Sequence, residues 1–319
     1  MNLSFLTIGD DDFFDSIQIS VHQARRFHPQ ASFYIYDWGL TDAQRAELNA
    51  ASNVEAIIDW TDRFVDLPVI DEVDWAIVMQ EVEAKRPSGS LLNRLKKVIS
   101  KYVLFREQHW KSLDEKGESQ KQSERNYIQK PFCILDCLER AESRLIYLDG
   151  DAFLLSNIED LLDRSFDIGV TLRREHEIRR GRNNCQVLNA GVLFFNGSPD
   201  KTRAFLDAWI DQMGQTCEYL IEQTALTRLI DQSSPQIFND YFNQGTISLG
   251  EEDIRVLTLP CDRYNFNWIE EGVDLETTKV VHFKGGRHSN DRFQDLLEEI
   301  NVSLSFARGR GADSLNINK

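Results

Sequence analysis

The chain has 319 residues, with 36 Lys and Arg against 52 Asp and Glu and a formal net charge of −16 at pH 7. That length is enough for one large domain or two ordinary ones, each with a full hydrophobic core. The acidic balance argues against general nucleic-acid binding, which needs an excess of Lys and Arg on phosphates, and against adsorption to anionic lipid. The N-terminal residues MNLSFLTIGDDDFFDS have no basic segment ahead of an apolar core, so no signal peptide is expected. No stretch reaches the roughly 18–20 apolar residues of a membrane span. The five cysteines, Cys133, Cys137, Cys185, Cys217 and Cys261, are scattered and lack a second pair at zinc spacing. They are expected as free thiols of a reduced, cytoplasmic protein.

Residues 3–8 (LSFLTI) form an apolar run closed by Gly9 and three aspartates, which predicts a first strand and its loop. Phe13, Ile17, Val21, Ala24 and Phe27 follow at helical spacing. Residues 32–36 (SFYIY) predict a second strand, ended by Asp37, Trp38 and Gly39. Thr41 and Gln44 form a capping box for a helix ending near Ala51, and residues 54–58 read as a third strand. This alternation predicts parallel βαβ units with right-handed crossovers.

Residues 60–126 break the pattern and read as a helical insertion. Within it, residues 91–110 look helical, whereas 112–126 (SLDEKGESQKQSERN) are polar and aperiodic and are expected as a mobile loop. The regular pattern resumes at Lys130 and Pro131, a helix start with Phe132, Leu135 and Leu138 on its buried face. Further strands are expected at 166–172, 185–195, 255–259 and 279–283, and helices at 202–213 and 217–229. A single domain over 1–300 with a flexible tail at 301–319 follows.

The most telling segment is residues 144–155 (RLIYLDGDAFLL), an apolar strand running into Asp149 and Asp151 with Gly150 between them. Two carboxylates this close repel unless a proton or cation relieves them, and a hard divalent metal does so at neutral pH. Gly150 lets the backbone turn and a bulky anion approach. The C-terminal end of a core strand is where open α/β sheets bind ligands. The alternative is a strand followed by an acidic turn.

YLDGD at 147–151, LNAGVLFFN at 188–196, Glu222-Gln223 at the start of a helical turn and VVHFKGG at 280–286 occur in an order that resembles metal-dependent glycosyltransferases of the GT-A fold. The likeness is to glycosyltransferase family 8 and related nucleotide-diphospho-sugar transferases. It covers residues 3–58 and 128–290, not the insertion or the tail. It implies an α/β, Rossmann-like fold with a mixed, mainly parallel sheet flanked by helices. It also implies transfer of a sugar from a nucleotide-diphosphate donor, a UDP-sugar, with retention of anomeric configuration.

Carried over residue by residue, the resemblance makes Asp149, Asp151 and His282 the ligands of Mn²⁺ or Mg²⁺ on the donor diphosphate. Imidazole with carboxylates suits Mn²⁺ and leaves positions for phosphate oxygens. Lys284, Gly285, Gly286 and Arg287 resemble a phosphate clamp of exposed backbone N–H groups and positive charge. The family pattern His-x-x-Gly-x-x-Lys-Pro is broken here, with Arg287 one residue early and His288 where Lys is expected. Lys130 is a second candidate cation, its alternative being a solvated lysine at a helix start.

Asn189, with Ala190 and Gly191, resembles the element that faces the donor sugar, small residues letting the sugar approach; the alternative is a turn before a strand. Glu222 and Gln223 resemble the family's Asp-Gln pair near the anomeric carbon. Glu222 would orient sugar hydroxyls, and Gln223 would stabilise an oxocarbenium-like centre through its carbonyl; the alternative is an exposed helix pair. Gly9, Asp10 and Asp11, with Phe13 and Phe14, occupy the place of base and ribose recognition, unless the aspartates only complement a helix dipole. The segment from Arg173 to Arg182 holds five arginines and is read either as a loop ordering over an anionic acceptor or the donor phosphates, or as a solvated loop. Two rival functions are a haloacid-dehalogenase-like phosphatase, which wants Thr or Val where Phe153 stands, and a catalytically silent sugar-nucleotide binder.

Overall fold

Strand β1 (Leu3–Gly9) is buried from Ser4 onward, as a central strand covered on both faces must be. It belongs to a computed structural model that describes residues 3–85, 106–141, 144–173, 187–267, 272–284 and 291–300. Helix α1 (Phe14–Phe27), strand β2 (Ser32–Asp37), helix α2 (Asp42–Asn49) and strand β3 (Val54–Asp59) follow as the alternating pattern predicts. Thr41 and Gln44 form the expected capping box at α2. Helices α3 (Pro68–Glu72), α4 (Trp75–Lys85) and α5 (Arg106–Tyr127) come next, then α6 (Gln129–Arg140), β4 (Arg144–Asp149) and β5 (Ala152–Leu154). The chain continues through α7 (Glu159–Leu162), β6 (Ile168–Leu172), β7 (Leu188–Phe195), α8 (Pro199–Met213) and α9 (Ile221–Ser233). It finishes with β8 (Gln244–Leu249), β9 (Glu252–Pro260), α10 (Cys261–Tyr264), β10 (Val280–His282) and α11 (Asp291–Glu299).

The main sheet has the order β3-β2-β1-β4-β7-β6-β9-β8. Strands β3, β2, β1 and β4 pair in parallel, β7 runs antiparallel between β4 and β6, and β8 is an antiparallel edge on β9. The period-2 alternation of the strands loads both faces. Phe5, Phe33, Ile35, Ile146 and Leu148 pack with Ile17, Val21 and Ala24 of α1. Leu6, Tyr34, Tyr36 and Tyr147 point the other way, into a cluster with Ile134 of α6, Trp209 of α8 and Leu226 of α9. The result is the expected three-layer α/β arrangement with a mixed, mainly parallel sheet. A small antiparallel ribbon, β5 with β10, packs Phe153, Val281 and Phe283 on Ile19 of α1 and Phe293 of α11.

The segment expected as a mobile loop, 112–126, is instead part of the 22-residue helix α5. Its inward positions are Gly117 and Glu124, one turn apart from half-buried Gln120 and Lys121. A buried stripe made of glycine and glutamate leaves no hydrophobic period to read, although the spacing is helical. Gly117 is needed there: a Cβ would lie 2.9 Å from the backbone N of Ala76 on α4. Lys121 and Arg125 pair with Asp71 of α3 at 2.8 and 3.0 Å.

Two smaller corrections follow the same logic. Helix α9 begins at Ile221, not 217, and β8 carries one buried residue, Ile247, too little to register as an apolar run. Cys133, Cys137 and Cys261 are buried, Cys217 is exposed, and none of the four is in a disulfide. Residues 91–105 of the expected 91–110 helix, Cys185 and the tail 301–319 lie outside the described residues. Among the described residues, no helix is long and apolar enough to cross a membrane.

Candidate active site

Strand β4 ends in Asp149, opposite Ile8 of β1 and one residue past the pairing of Leu148 with Val192 of β7. The chain then turns at Gly150. A Cβ there would lie 2.7 Å from the carbonyl oxygen of Ile8 and 3.1 Å from Cγ of Phe13, so only glycine fits. The hydroxyl of Ser16 locks the turn by donating to the Gly150 carbonyl at 2.6 Å. Asp151 follows, and the pairing of β10 with β5 sets His282 opposite Ala152. The ribbon is therefore the device that brings a distant histidine to the aspartates.

One ligand atom from each of Asp149, Asp151 and His282 lies within 4.8 Å of the others. Nε2 of His282 is 3.1 Å from Oδ1 of Asp151 and 3.4 Å from Oδ2 of Asp149. Its Nδ1 is 2.9 Å from Oδ1 of Asn265. The amide nitrogen of Asn265 donates to the Thr171 hydroxyl at 2.8 Å and to the Asn189 carbonyl at 3.0 Å. That turns the amide oxygen toward the imidazole, so Nδ1 carries the proton and donates it. Nε2 is left facing two carboxylates, where a proton or a cation must intervene. Two carboxylates and an imidazole whose far nitrogen is oriented by an amide form a donor set that fits Mn²⁺, or Mg²⁺ with retained water.

Lys130 is buried rather than solvated. Its Nζ lies 3.0 Å from the Ala190 carbonyl, 3.0 Å from Oε1 of Glu222 and 3.2 Å from Oδ1 of Asp149. Its ammonium thus donates to a backbone carbonyl and sits between two carboxylates. Burial works against ionisation of Asp149, but the Lys130 ammonium and His282 hold its carboxyl below the ordinary carboxylate value. The Tyr147 hydroxyl also donates to Asp149. Burial pushes the Glu222 carboxyl up to about 7, with Lys130 opposing the shift and Asp149 adding to it.

Glu222 and Gln223 are buried in the first turn of α9, not exposed. Oε1 of Gln223 accepts from the Ala190 backbone N–H at 3.3 Å and from the Arg173 guanidinium at 3.2 Å. That carbonyl oxygen therefore accepts from two protein donors. At Gly191 a Cβ would lie 2.2 Å from Cε1 of His282 and 2.7 Å from Oδ2 of Asp149, so the room that glycine leaves is taken up by the His282 imidazole. Asn189 is 2 % exposed, its Oδ1 accepts from the Gly191 N–H at 3.2 Å, and its Nδ2 is a buried donor without a hydrogen-bond partner.

These groups line one cleft of about 530 Å³ with Asp10, Trp38 and Lys284 on its walls. Gly9 lines it as well. Asp10 is half-buried and its carboxyl is raised, first by burial and then by its acidic neighbours. Asp11 is exposed on the adjoining turn and is not on the cleft wall. Gly285, Gly286 and Arg287 lie outside the described residues, as do 174–182 of the arginine-rich segment. Trp38, Tyr127, Tyr219 and Asn265 were not anticipated. Tyr147 carried a signal, since it alternates onto the face of Asp149 two residues away; Asn265 carried none.

No family model matches the chain, and no curated protein matches it. Solved structures do. The bifunctional glycosyltransferase WbbM in its apo form matches with a TM-score of 0.51 at 11 % identity, over 94 % of this chain and 49 % of that one. The apo glycosyltransferase GlyE of Streptococcus pneumoniae TIGR4 gives 0.49 at 12 %, over 94 % and 60 %. The galactosyltransferase LgtC, solved with donor and acceptor sugar analogs, gives 0.47 at 14 %, over 95 % and 98 %. At these identities the likeness is one of fold, and the match to WbbM carries it: the chain has a GT-A-type α/β fold.

Proposed function

We propose that this chain is a metal-dependent glycosyltransferase that moves a sugar from a nucleotide-diphosphate donor, a UDP-sugar, to an acceptor hydroxyl with retention of configuration. The observation that carries the reading is the convergence of Asp149, Asp151 and the Nε2 of His282 at the C-terminal end of a central strand, on the floor of a cleft. A phosphatase needs no buried histidine across from its aspartates, and a bare scaffold needs no Lys130 balanced between Asp149 and Glu222.

Asp149, Asp151 and His282 would hold Mn²⁺ or Mg²⁺, which when bound supplies Lewis acidity for the leaving diphosphate. The chain's own groups divide the remaining work. Asp10, on the cleft wall, would accept the imide N–H of a uracil. The unpartnered Nδ2 of Asn189 supplies a donor for a sugar hydroxyl in a position already shielded from water. Glu222, beside Lys130, accepts from a second hydroxyl, and Gln223 holds the Ala190 backbone and Arg173 in register. Lys284, with Gly285, Gly286 and Arg287 following it, supplies positive charge and backbone N–H groups for the diphosphate. The arginines from Arg173 to Arg182 are assigned to an anionic acceptor.

A thermal-shift panel of nucleotide-sugars with and without Mn²⁺ tests the reading. A bound ligand at 100 times its Kd stabilises by ~2.7 kcal/mol. The expected result is a metal-dependent shift with a UDP-sugar, followed by slow Mn²⁺-dependent hydrolysis of that donor. No metal-dependent shift with any nucleotide-sugar would overturn it.

A further inference from the structure

We infer that Glu124, on insertion helix α5, is a positioning residue of the active site: its carboxylate clamps the N-terminus of α9 and thereby aims Glu222 and Gln223. Helix α9 has no cap of its own, because Leu220 stands at its N-cap position and offers no side-chain acceptor. The vacancy is filled from far along the chain. Oε1 of Glu124 accepts from the Leu220 backbone N–H at 2.8 Å and Oε2 accepts from the Ile221 N–H at 2.9 Å. Gln120, one turn earlier on α5, donates to Oε1 at 2.7 Å.

A change of backbone hand aims two successive N–H groups at one carboxylate. Leu220 does this, with φ 56 and ψ 62 in the left-handed region, ahead of the helical Ile221. The pair forms a concave anion-binding nest at the positive end of a helix. Its anion is internal. Glu124 is fully buried, and no ion pair to it is found among the described residues, so backbone and amide N–H groups carry its compensation. Burial raises its carboxyl to about 7, opposed by those same backbone hydrogen bonds. A neutral acceptor cannot satisfy both N–H groups equally, since an amide presents one oxygen and one NH₂.

The consequence for the cleft is geometric. Glu222 and Gln223 are the next two residues after Ile221, within the first turn, so the cap sets their direction. From the other side, the Trp209 indole donates to the Glu222 carbonyl at 2.9 Å. Residues Ser123, Asn126 and Tyr127 of α5 line the same cleft. The insertion is therefore a wall and a clamp of the site, not an appendage.

The test uses the full chain and Glu124→Gln. Hydrogen exchange at the amides of Leu220 and Ile221 should accelerate ~10-fold or more, while exchange in β4 stays unchanged. The kinetic arm rests on the glycosyl-transfer reading. There, kcat for Mn²⁺-dependent UDP-sugar turnover should fall ~10-fold or more, with the donor Kd within about twofold of wild type. Unchanged exchange at 220 and 221, or a raised Kd with unchanged kcat, overturns the inference. If the wild type turns over no donor, the transfer reading fails and the exchange arm alone decides the clamp. Should E124Q not fold, Gln120→Leu removes one of the hydrogen bonds to Oε1, and a smaller acceleration at the same two amides is required. In E124Q/L220G, glycine adopts the left-handed backbone freely, and partial recovery of kcat is expected; a further fall overturns the positioning role.

Discussion

The ring of His282 occupies the space that a side chain on residue 191 would need, its Cε1 only 2.2 Å from where a Cβ of Gly191 would lie. The absence of that one carbon lets β7 pass close enough to β10 for the histidine to reach Asp149 and Asp151. Gly191→Ala must displace the imidazole or the strand. A loss of Mn²⁺ affinity of ~10-fold or more is expected, the scale seen when groups that orient metal ligands are disturbed. Titration with Mn²⁺ followed by calorimetry or paramagnetic resonance reads it directly; an unchanged Kd would remove His282 from the ligand set.

The two aspartates should differ when neutralised. Asp151→Asn removes a ligand near His282, and the expected outcome is loss of the Mn²⁺-dependent thermal shift. Asp149→Asn removes a ligand and also weakens the hydrogen-bonded partnership with Lys130 and Tyr147. It should cost an additional ~1–3 kcal/mol of folding stability without metal, as a buried charged group loses its partner. Urea denaturation in EDTA separates the two, and equal apo stabilities would contradict the role given to Lys130.

Lys130→Met leaves Asp149 and Glu222 without their shared cation. Breaking a buried pair from one side costs ~3–5 kcal/mol. In the double variant K130M/E222Q one orphaned carboxylate is also neutralised, so part of that loss should return. Equilibrium denaturation of wild type, both single variants and the double variant gives the coupling; strict additivity would show that the 3.0 Å approach of Lys130 to Glu222 is energetically idle.

The pH dependence has a definite sign. Burial raises the Glu222 carboxyl from 4.5 to about 7 in the folded protein, so the native state holds that proton more tightly than the unfolded chain. Its contribution to stability is fully present below about 4.5 and is lost as pH rises to about 7. The size is up to ~3 kcal/mol at 1.36 kcal/mol per unit. Glu124 titrates in the same direction and window. In metal-free buffer, Glu222→Gln should therefore lose less stability than wild type between about pH 5 and pH 8. Parallel stability profiles for the two proteins would contradict this.

Much of the frame was legible from residue order. Alternating apolar strands and amphipathic helices predicted the parallel units from β1 to β3, because burial on two faces demands those periods. The strand that ends in Asp149 and Asp151 announced itself through the cost of two adjacent carboxylates. His282 and the Glu222-Gln223 pair entered through the resemblance and not through spacing, since the pairing of β10 with β5 links segments far apart along the chain.

Which polar groups are buried depends on contacts between distant segments. Lys130, Glu124 and Glu222 have the composition of surface residues, and sequence pattern places them there. In the fold each lies in the interior because another buried group compensates it: Asp149 and Glu222 for Lys130, the backbone of Leu220 and Ile221 for Glu124. The 112–126 part of helix α5 carries no apolar period for that reason, since its buried positions are Gly117 and Glu124. The layers and the strand that ends in Asp149 could be read from residue order, because hydrophobic burial is written in local period. The long-range polar contacts that hold Glu222 over the cleft depend on which distant donor meets which acceptor, and no local pattern encodes that.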